Sequence, residues 1–280
     1  MDSPLLQDGL VITLNVAAMM AMGLELTPAR LAEAARRYRP MAIGLAVNLL
    51  AAPAVAWLLI AAFDLPAAFA VGLLLCASAP GGNTGPLFTA NARGDIAYSV
   101  ALVVLLSFAS VISVPVLMGA LGDRAIADLG SQAPLMIRMI LTWQIAPLVL
   151  GMIVHRLHTR FALRAAPVAR IVGNASLLVL TLVLMITKGG MIFAGGLVPL
   201  LAIEAFVLLA LASGLLLGSP RDPAARALGL TTCTRNLALS MLMGSQLFRE
   251  QPAVMMGLLA YGLLWLSTAL PASLWLRRFA

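Results

Sequence analysis

Apolar runs of about 20 residues recur along the chain, the length that carries an α-helix across the hydrocarbon of a bilayer. Taken in order they predict nine spans, at 8–26, 40–62, 66–90, 96–121, 133–154, 170–187, 192–217, 224–247 and 253–276. Two of the nine are interrupted in their middles. The third contains Ala77-Ser78-Ala79-Pro80-Gly81-Gly82-Asn83-Thr84-Gly85-Pro86, and Pro80, Gly81, Gly82, Gly85 and Pro86 together cannot continue a helix. The eighth contains Thr231-Thr232-Cys233-Thr234-Arg235-Asn236, six polar or small residues between apolar ends. In hydrocarbon every free backbone N–H and C=O must find a partner, so unwound chain at this depth is tolerated only inside protein or against a wet cavity.

The two interruptions fall in corresponding places if spans 1–4 and 5–9 form two units, the first lacking its opening member. Units so related run oppositely through the membrane, as in transporters built from inverted repeats. The expected fold is therefore an all-α polytopic membrane protein of nine transmembrane helices with two broken, crossing helices. A single integral membrane domain would cover 1–280. A kink in a packed bundle needs one proline rather than six polar residues, so a transport site at the crossing is the better account of the breaks.

Composition changes the picture little: 62% of the 280 residues are hydrophobic and 10% charged, which excludes a soluble domain of any size. The net charge of +7 adds orientation. Thirteen of the 18 basic residues lie on alternate loops or at the end of the chain: Arg30, Arg36, Arg37 and Arg39, then Arg93, then Arg156, Arg160, Arg164 and Arg170, then Arg221 and Arg226, then Arg277 and Arg278. Arg124, Lys188 and Arg249 lie on the opposite loops. The bias places the N-terminus outside and the C-terminus in the cytoplasm of a cell inner membrane, and it accounts for the charge through the lipid bilayer, with no nucleic acid partner. His155 and His158 fall among these arginines and are expected to be solvated. Acids rather than arginines precede the first run and no small-residue cleavage site stands out, so an uncleaved start at Met1 is expected. Cys76 and Cys233 lie in apolar context as packing residues, with no metal cluster and no disulfide framework. The glycine-rich break lacks the Gly-Lys-Ser/Thr of a phosphate loop, and no HExxH, Gly-x-Ser-x-Gly elbow or carboxylate pair supplies an enzyme.

Met22-Gly23-Leu24 followed by Leu26-Thr27-Pro28, the Pro80-Gly81-Gly82 turn, Arg93-Gly94-Asp95 with Ser99-Val100, and Arg235-Asn236 resemble the bile acid:sodium symporter family over nearly the whole chain. The resemblance implies a core domain built on the crossing and a panel domain that moves against it. It also implies sodium and a small organic anion as partners. At the positions where relatives bind sodium the residues differ. Gly85-Pro86 stands for Ser-Asn, Ser99 and Val103 for a Ser and Thr four apart, Thr231 and Arg235 for a Glu and Gln, and Asn48 for a Gln. Asn48, Ser99 and Thr231 are the remaining candidate ion ligands. Losing a carboxylate and gaining an arginine opposes a hard cation, so altered or absent sodium coupling is expected, with no other cofactor.

The candidate substrate site is Asn48, Gly82, Asn83, Thr84, Thr231, Thr232, Thr234, Arg235 and Asn236, and all of these but Gly82 and Arg235 are expected to line one polar cavity with Ser99. A half-helix N-terminus favours an anion there. Arg235 is expected to hold the charge position of the missing sodium, with Glu204 in the seventh span as its candidate structural partner. The reading is a secondary transporter working by alternating access. The alternatives are a membrane-embedded enzyme, which lacks its reacting groups, and a channel or non-transporting scaffold.

Overall fold

The computed structural model describes residues 4–27, 38–122, 130–188, 190 and 196–280. All regular structure among them is helical. The topogenic residues Arg30, Arg36, Arg37 and Arg124, and Pro28, lie outside the described residues, as does the side chain of Lys188. Seven uninterrupted helices among the described residues are long and apolar enough to cross a membrane. In chain order the elements are α1 (Pro4–Glu25), α2 (Tyr38–Ala62), α3 (Ala67–Ser78), α4 (Gly85–Asn91), α5 (Ile96–Leu121) and α6 (Gly130–Leu157). They continue with α7 (Thr159–Lys188), α8 (Leu197–Leu217), α9 (Pro223–Cys233), α10 (Leu237–Leu247) and α11 (Pro252–Leu276). The short pairs α3/α4 and α9/α10 are the two interrupted segments.

Local chemistry sets these boundaries. Asp95 caps α5 by accepting from Tyr98 N at 2.9 Å, and Asp222 caps α9 by accepting from Ala224 N at 2.9 Å, with Pro223 in the first turn. Two further prolines act inside helices. Pro53 and Pro147 lack an N–H and crowd the carbonyl four residues back, and each follows a π turn, at Val47–Ala51 in α2 and Leu141–Ile145 in α6. In each turn the next amide bonds five residues back instead of four, Ala52 to Val47 and Ala146 to Leu141, which leaves carbonyls free for partners outside the helix. Asn15 Nδ2 from α1 donates to one of them, Trp143 O, at 2.9 Å.

The helices pack in two groups. In the first, α1 lies on α6 and α7, with Gly23 and Gly151 in backbone contact: a Cβ at Gly23 would fall on Leu148 O. In the second, α3 packs on α11, α8 on α9 and α11, and α9 on α4 and α5. Their core runs through Phe69, Leu73, Phe206, Tyr261 and Trp265, all buried, with the ring of Phe88 edge-on to Trp265 at 5.5 Å, and continues into Val11 of α1, Ile140 of α6 and Leu180 of α7. The outer faces are apolar. Ile171, Leu178, Leu182 and Ile186 on α7 are largely exposed, as a hydrocarbon-facing surface requires.

Three sequence expectations are corrected. The sixth span was expected at 170–187, but α7 already begins at Thr159, so Arg160, Arg164 and Arg170 ride on helix rather than loop. His155, expected in solvent, is buried at 6% exposure in the last turn of α6, where its Nδ1 is hydrogen-bonded to Leu24 O across the α1–α6 contact. His158 is exposed. Arg226, counted with the loop arginines, is also buried: its guanidinium donates to Pro220 O at 2.9 Å and Arg93 O at 2.8 Å, tying together the chain ends flanking both interrupted segments.

Candidate functional site

The first interrupted segment leaves helix after Ser78 and re-enters it at Gly85. Gly81 makes the turn at φ 81°, a backbone conformation that L side chains rarely adopt. The second leaves helix after Cys233 and re-enters at Leu237, with Asn236 Oδ1 capping the new helix by accepting from Leu239 N at 3.1 Å. Thr231 and Thr232 therefore remain helical, and the unwound part is three residues, Thr234 to Asn236.

The two unwound stretches touch through their backbones. Asn236 N donates to Ala79 O at 2.9 Å, and a Cβ at Gly82 would fall on Thr234 O. Any residue larger than glycine at 82 would push the segments apart. The crossing thus satisfies part of its own unwound backbone.

Arg235 lies in this crossing at 1% exposure. Its Nε donates to Cys76 O at 3.2 Å and its Nη2 to Ala77 O, so the cation covers the last carbonyls of α3, where the helix dipole is negative. Nη1 donates to Asn48 Oδ1 at 2.6 Å and Nη2 also to Asn48 O at 3.2 Å. Asn48 O is a carbonyl released by the π turn ahead of Pro53, so a proline five residues away sets part of the arginine's site. Asn48 Nδ2 continues the network to Thr232 Oγ1 at 3.0 Å. Glu204 is not Arg235's partner. It accepts instead from Thr268 Oγ1 at 2.6 Å, between α8 and α11.

A second cluster lies between α4, α5 and α9: Ser99 Oγ and Thr231 Oγ1 are hydrogen-bonded at 2.7 Å, and Thr89 Oγ1 donates to Ser99 Oγ at 3.3 Å. A third includes Asn236, whose Nδ2 donates to Gln144 Oε1 at 3.2 Å, while Gln144 Nε2 donates to Ser107 O and Ser110 Oγ at 3.2 and 3.1 Å. Gln144 stands on the π turn of α6, in the other helix group, so this contact joins the groups at the crossing. The side chain of Thr234 turns back on its own helix, to Leu230 O at 2.9 Å, and Asn83 and Thr84 are half-buried in the first break. Ser78 Oγ is buried with no partner among the described residues.

Sequence reasoning passed over Gln144, Thr89, Ser107 and Ser110. A glutamine inside an apolar span was the available signal for the first. The serines bond to carbonyls of their own helix, as polar residues in apolar helices commonly do, and carry no such signal.

A helical membrane protein whose interior is a crossing of two interrupted helices belongs to the architectures of secondary transporters. The model of the sodium bile acid symporter family matches residues 11–195, and the chain belongs to that family, whose members are transporters rather than enzymes. The match takes in the first break and Gln144, while the second break lies beyond it. The chain is similar to two proteins of Oryza sativa subsp. japonica. One is the probable sodium/metabolite cotransporter BASS3, chloroplastic, 28% identical over 141 residues, 49% of this chain and 32% of that protein. The other is the probable sodium/metabolite cotransporter BASS1, chloroplastic, 30% identical over 109 residues, 39% of this chain and 27% of that protein. The matched stretches cover a third or less of these relatives.

Proposed function

We propose that the chain is a secondary transporter of small organic anions that works by alternating access at the crossing, with Arg235 as its fixed positive charge in place of sodium. The interrupted segments count as one crossing each, giving nine spans in two inverted units, with the N-terminus outside and the C-terminus in the cytoplasm. The group of α1, α6 and α7 is the panel that moves, and the other helices are the core.

The observation that carries this reading is the seat of Arg235. An arginine at the centre of a membrane span costs about 2.5 to 3.5 kcal/mol to insert, so its position against the α3 carbonyls and Asn48 is one the fold maintains. The family and both relatives are named for sodium, and sodium is the first coupling ion to consider. The donors do not favour it here. Asn48 Oδ1 is engaged by a guanidinium, and Ser99 and Thr231 satisfy each other. A sodium ion beside Arg235 would meet a like charge in a low dielectric.

Uptake of a panel of monocarboxylates, keto acids and sulfonates into proteoliposomes tests the reading under imposed sodium, proton or no gradient. Saturable uptake that ignores sodium is expected. Sodium-stimulated uptake would overturn the charge replacement, and no uptake of any anion would overturn the transporter.

A further inference from the structure

Residues of α1, α6 and α10 line a cleft of about 560 Å³ between the two helix groups. Arg138 on α6 and Arg249, just past α10, both line it. Thr142 and Trp143, on the π turn that also carries Gln144, line it as well. Ile12 and Leu242 give it apolar walls. Two guanidinium groups in a cleft of mixed polar and apolar lining, with an indole among the apolar part, suit a ligand with one anionic head and an apolar body.

Arg249 already holds such a head. Its Nη2 donates to Asp8 Oδ2 at 2.9 Å and to Gln246 Oε1 at 2.8 Å. Asp8 belongs to α1, one turn before the cleft residue Ile12, so the ion pair ties the first helix group to the second beside the cleft. The Arg249 side chain is 60% exposed and that of Asp8 19%, so the guanidinium side of the pair stays within reach of a competing anion from water.

We propose that Arg249 and Arg138 form an anion-capture station, in which Arg249 exchanges the Asp8 carboxylate for the anionic head of a soluble, apolar-bodied ligand. Exchange frees α1 from the core side while it loads the cleft. The proposal rests on the transporter reading for its purpose but not for its binding. An anionic lipid headgroup offers the same chemistry, and the test separates the two sources.

The full chain in phosphatidylcholine nanodiscs is titrated with 4-phenylbutanoate and with uncharged 4-phenylbutan-1-ol, and tryptophan fluorescence is read. Trp143→Phe assigns the signal to the cleft. Expected are saturable binding of the anion only, affinity at least tenfold weaker in Arg249→Gln and in Arg138→Gln, and a smaller loss in Arg249→Lys. Asp8→Asn, which removes the internal competitor, is expected to tighten binding several-fold. Thermal transitions matching the parent protein show that the variants are folded. Unchanged affinity in both glutamine variants, or weaker binding in Asp8→Asn, would overturn the station. If phosphatidylglycerol added to the nanodiscs displaces the probe in proportion to its mole fraction, and Arg249→Gln abolishes that competition, the anion is a lipid headgroup and the soluble ligand is wrong. Uptake by the same variants keeps the two readings apart. Arginine-dependent binding without uptake refutes the transporter and leaves the station, whereas uptake with unaltered KM in Arg249→Gln does the reverse.

Discussion

Arg235 is the residue on which charge and geometry meet. Its fork engages Asn48 and two carbonyls of α3, and it covers the negative end of that half-helix as a bound cation would. Shape as well as charge is at work, because a lysine cannot reach several diverging oxygens from one rigid plane. Arg235→Lys is therefore expected to lose at least tenfold in uptake rate despite keeping its charge, and Arg235→Gln to lose as much or more. Each oxygen left without a donor costs about 1–3 kcal/mol, so both variants also unfold at lower temperature. Arg235→Gln combined with Thr231→Glu puts the relatives' pair at these positions, and sodium-stimulated uptake is its expected signature. Uptake by Arg235→Ala equal to that of the unaltered protein, with or without sodium, would sink the charge-replacement argument.

At the scale of elements, the two breaks differ in how plainly they could be read. The first was visible because Pro80, Gly81 and Gly82 cannot be helical, and the helix does end at Ser78. The second reads from Thr231 in the sequence yet opens only after Cys233, since threonines satisfied by Ser99 and Asn48 have no reason to leave the helix. Which polar residues meet was not legible, because that depends on two π turns whose prolines sit unremarkably in apolar runs. Gly82→Ala is expected to prevent the crossing outright: the methyl group would overlap backbone, which cannot repack as a side chain does, so the cost exceeds the about 1–3 kcal/mol of ordinary overpacking. Size-exclusion profiles and thermal unfolding of the purified variant check this. Pro53→Ala makes a less intuitive case. Removing a proline from a helix interior ordinarily gains about 3 kcal/mol. Here it returns an N–H to α2, lets the π turn relax to α, and withdraws Asn48 from Arg235. Thermal stability is expected to gain nothing and uptake to fall, and a stabilised, fully active Pro53→Ala would refute the role given to the turn.

For the whole molecule the issue is which parts move together. Gly23 against Gly151 and the buried His155 bond to Leu24 O fasten α1 to α6, while α3, α8, α9 and α11 share the larger core. Between the groups the polar ties among the described residues include Gln144 to Asn236, Ser107 and Ser110 at depth and Asp8 to Arg249 at one end. Polar bonds that trade one partner for another, or for water, suit an interface that slides, whereas close glycine backbone contacts suit one that does not. Hydrophobic patterning could locate the spans but not this partition, since every span is apolar on both its lipid and its protein faces. Spin labels at exposed positions can read the partition directly. A pair at Leu150 on α6 and Leu270 on α11 spans the two groups, and a pair at Leu150 and Leu178 on α7 lies within one. On addition of a transported anion the first distance is expected to change by several ångströms or to broaden into two populations, while the second stays fixed. If both distances shift equally the groups are not rigid bodies, and if neither shifts under conditions where uptake is measured, transport does not proceed by the motion of α1, α6 and α7 against the core.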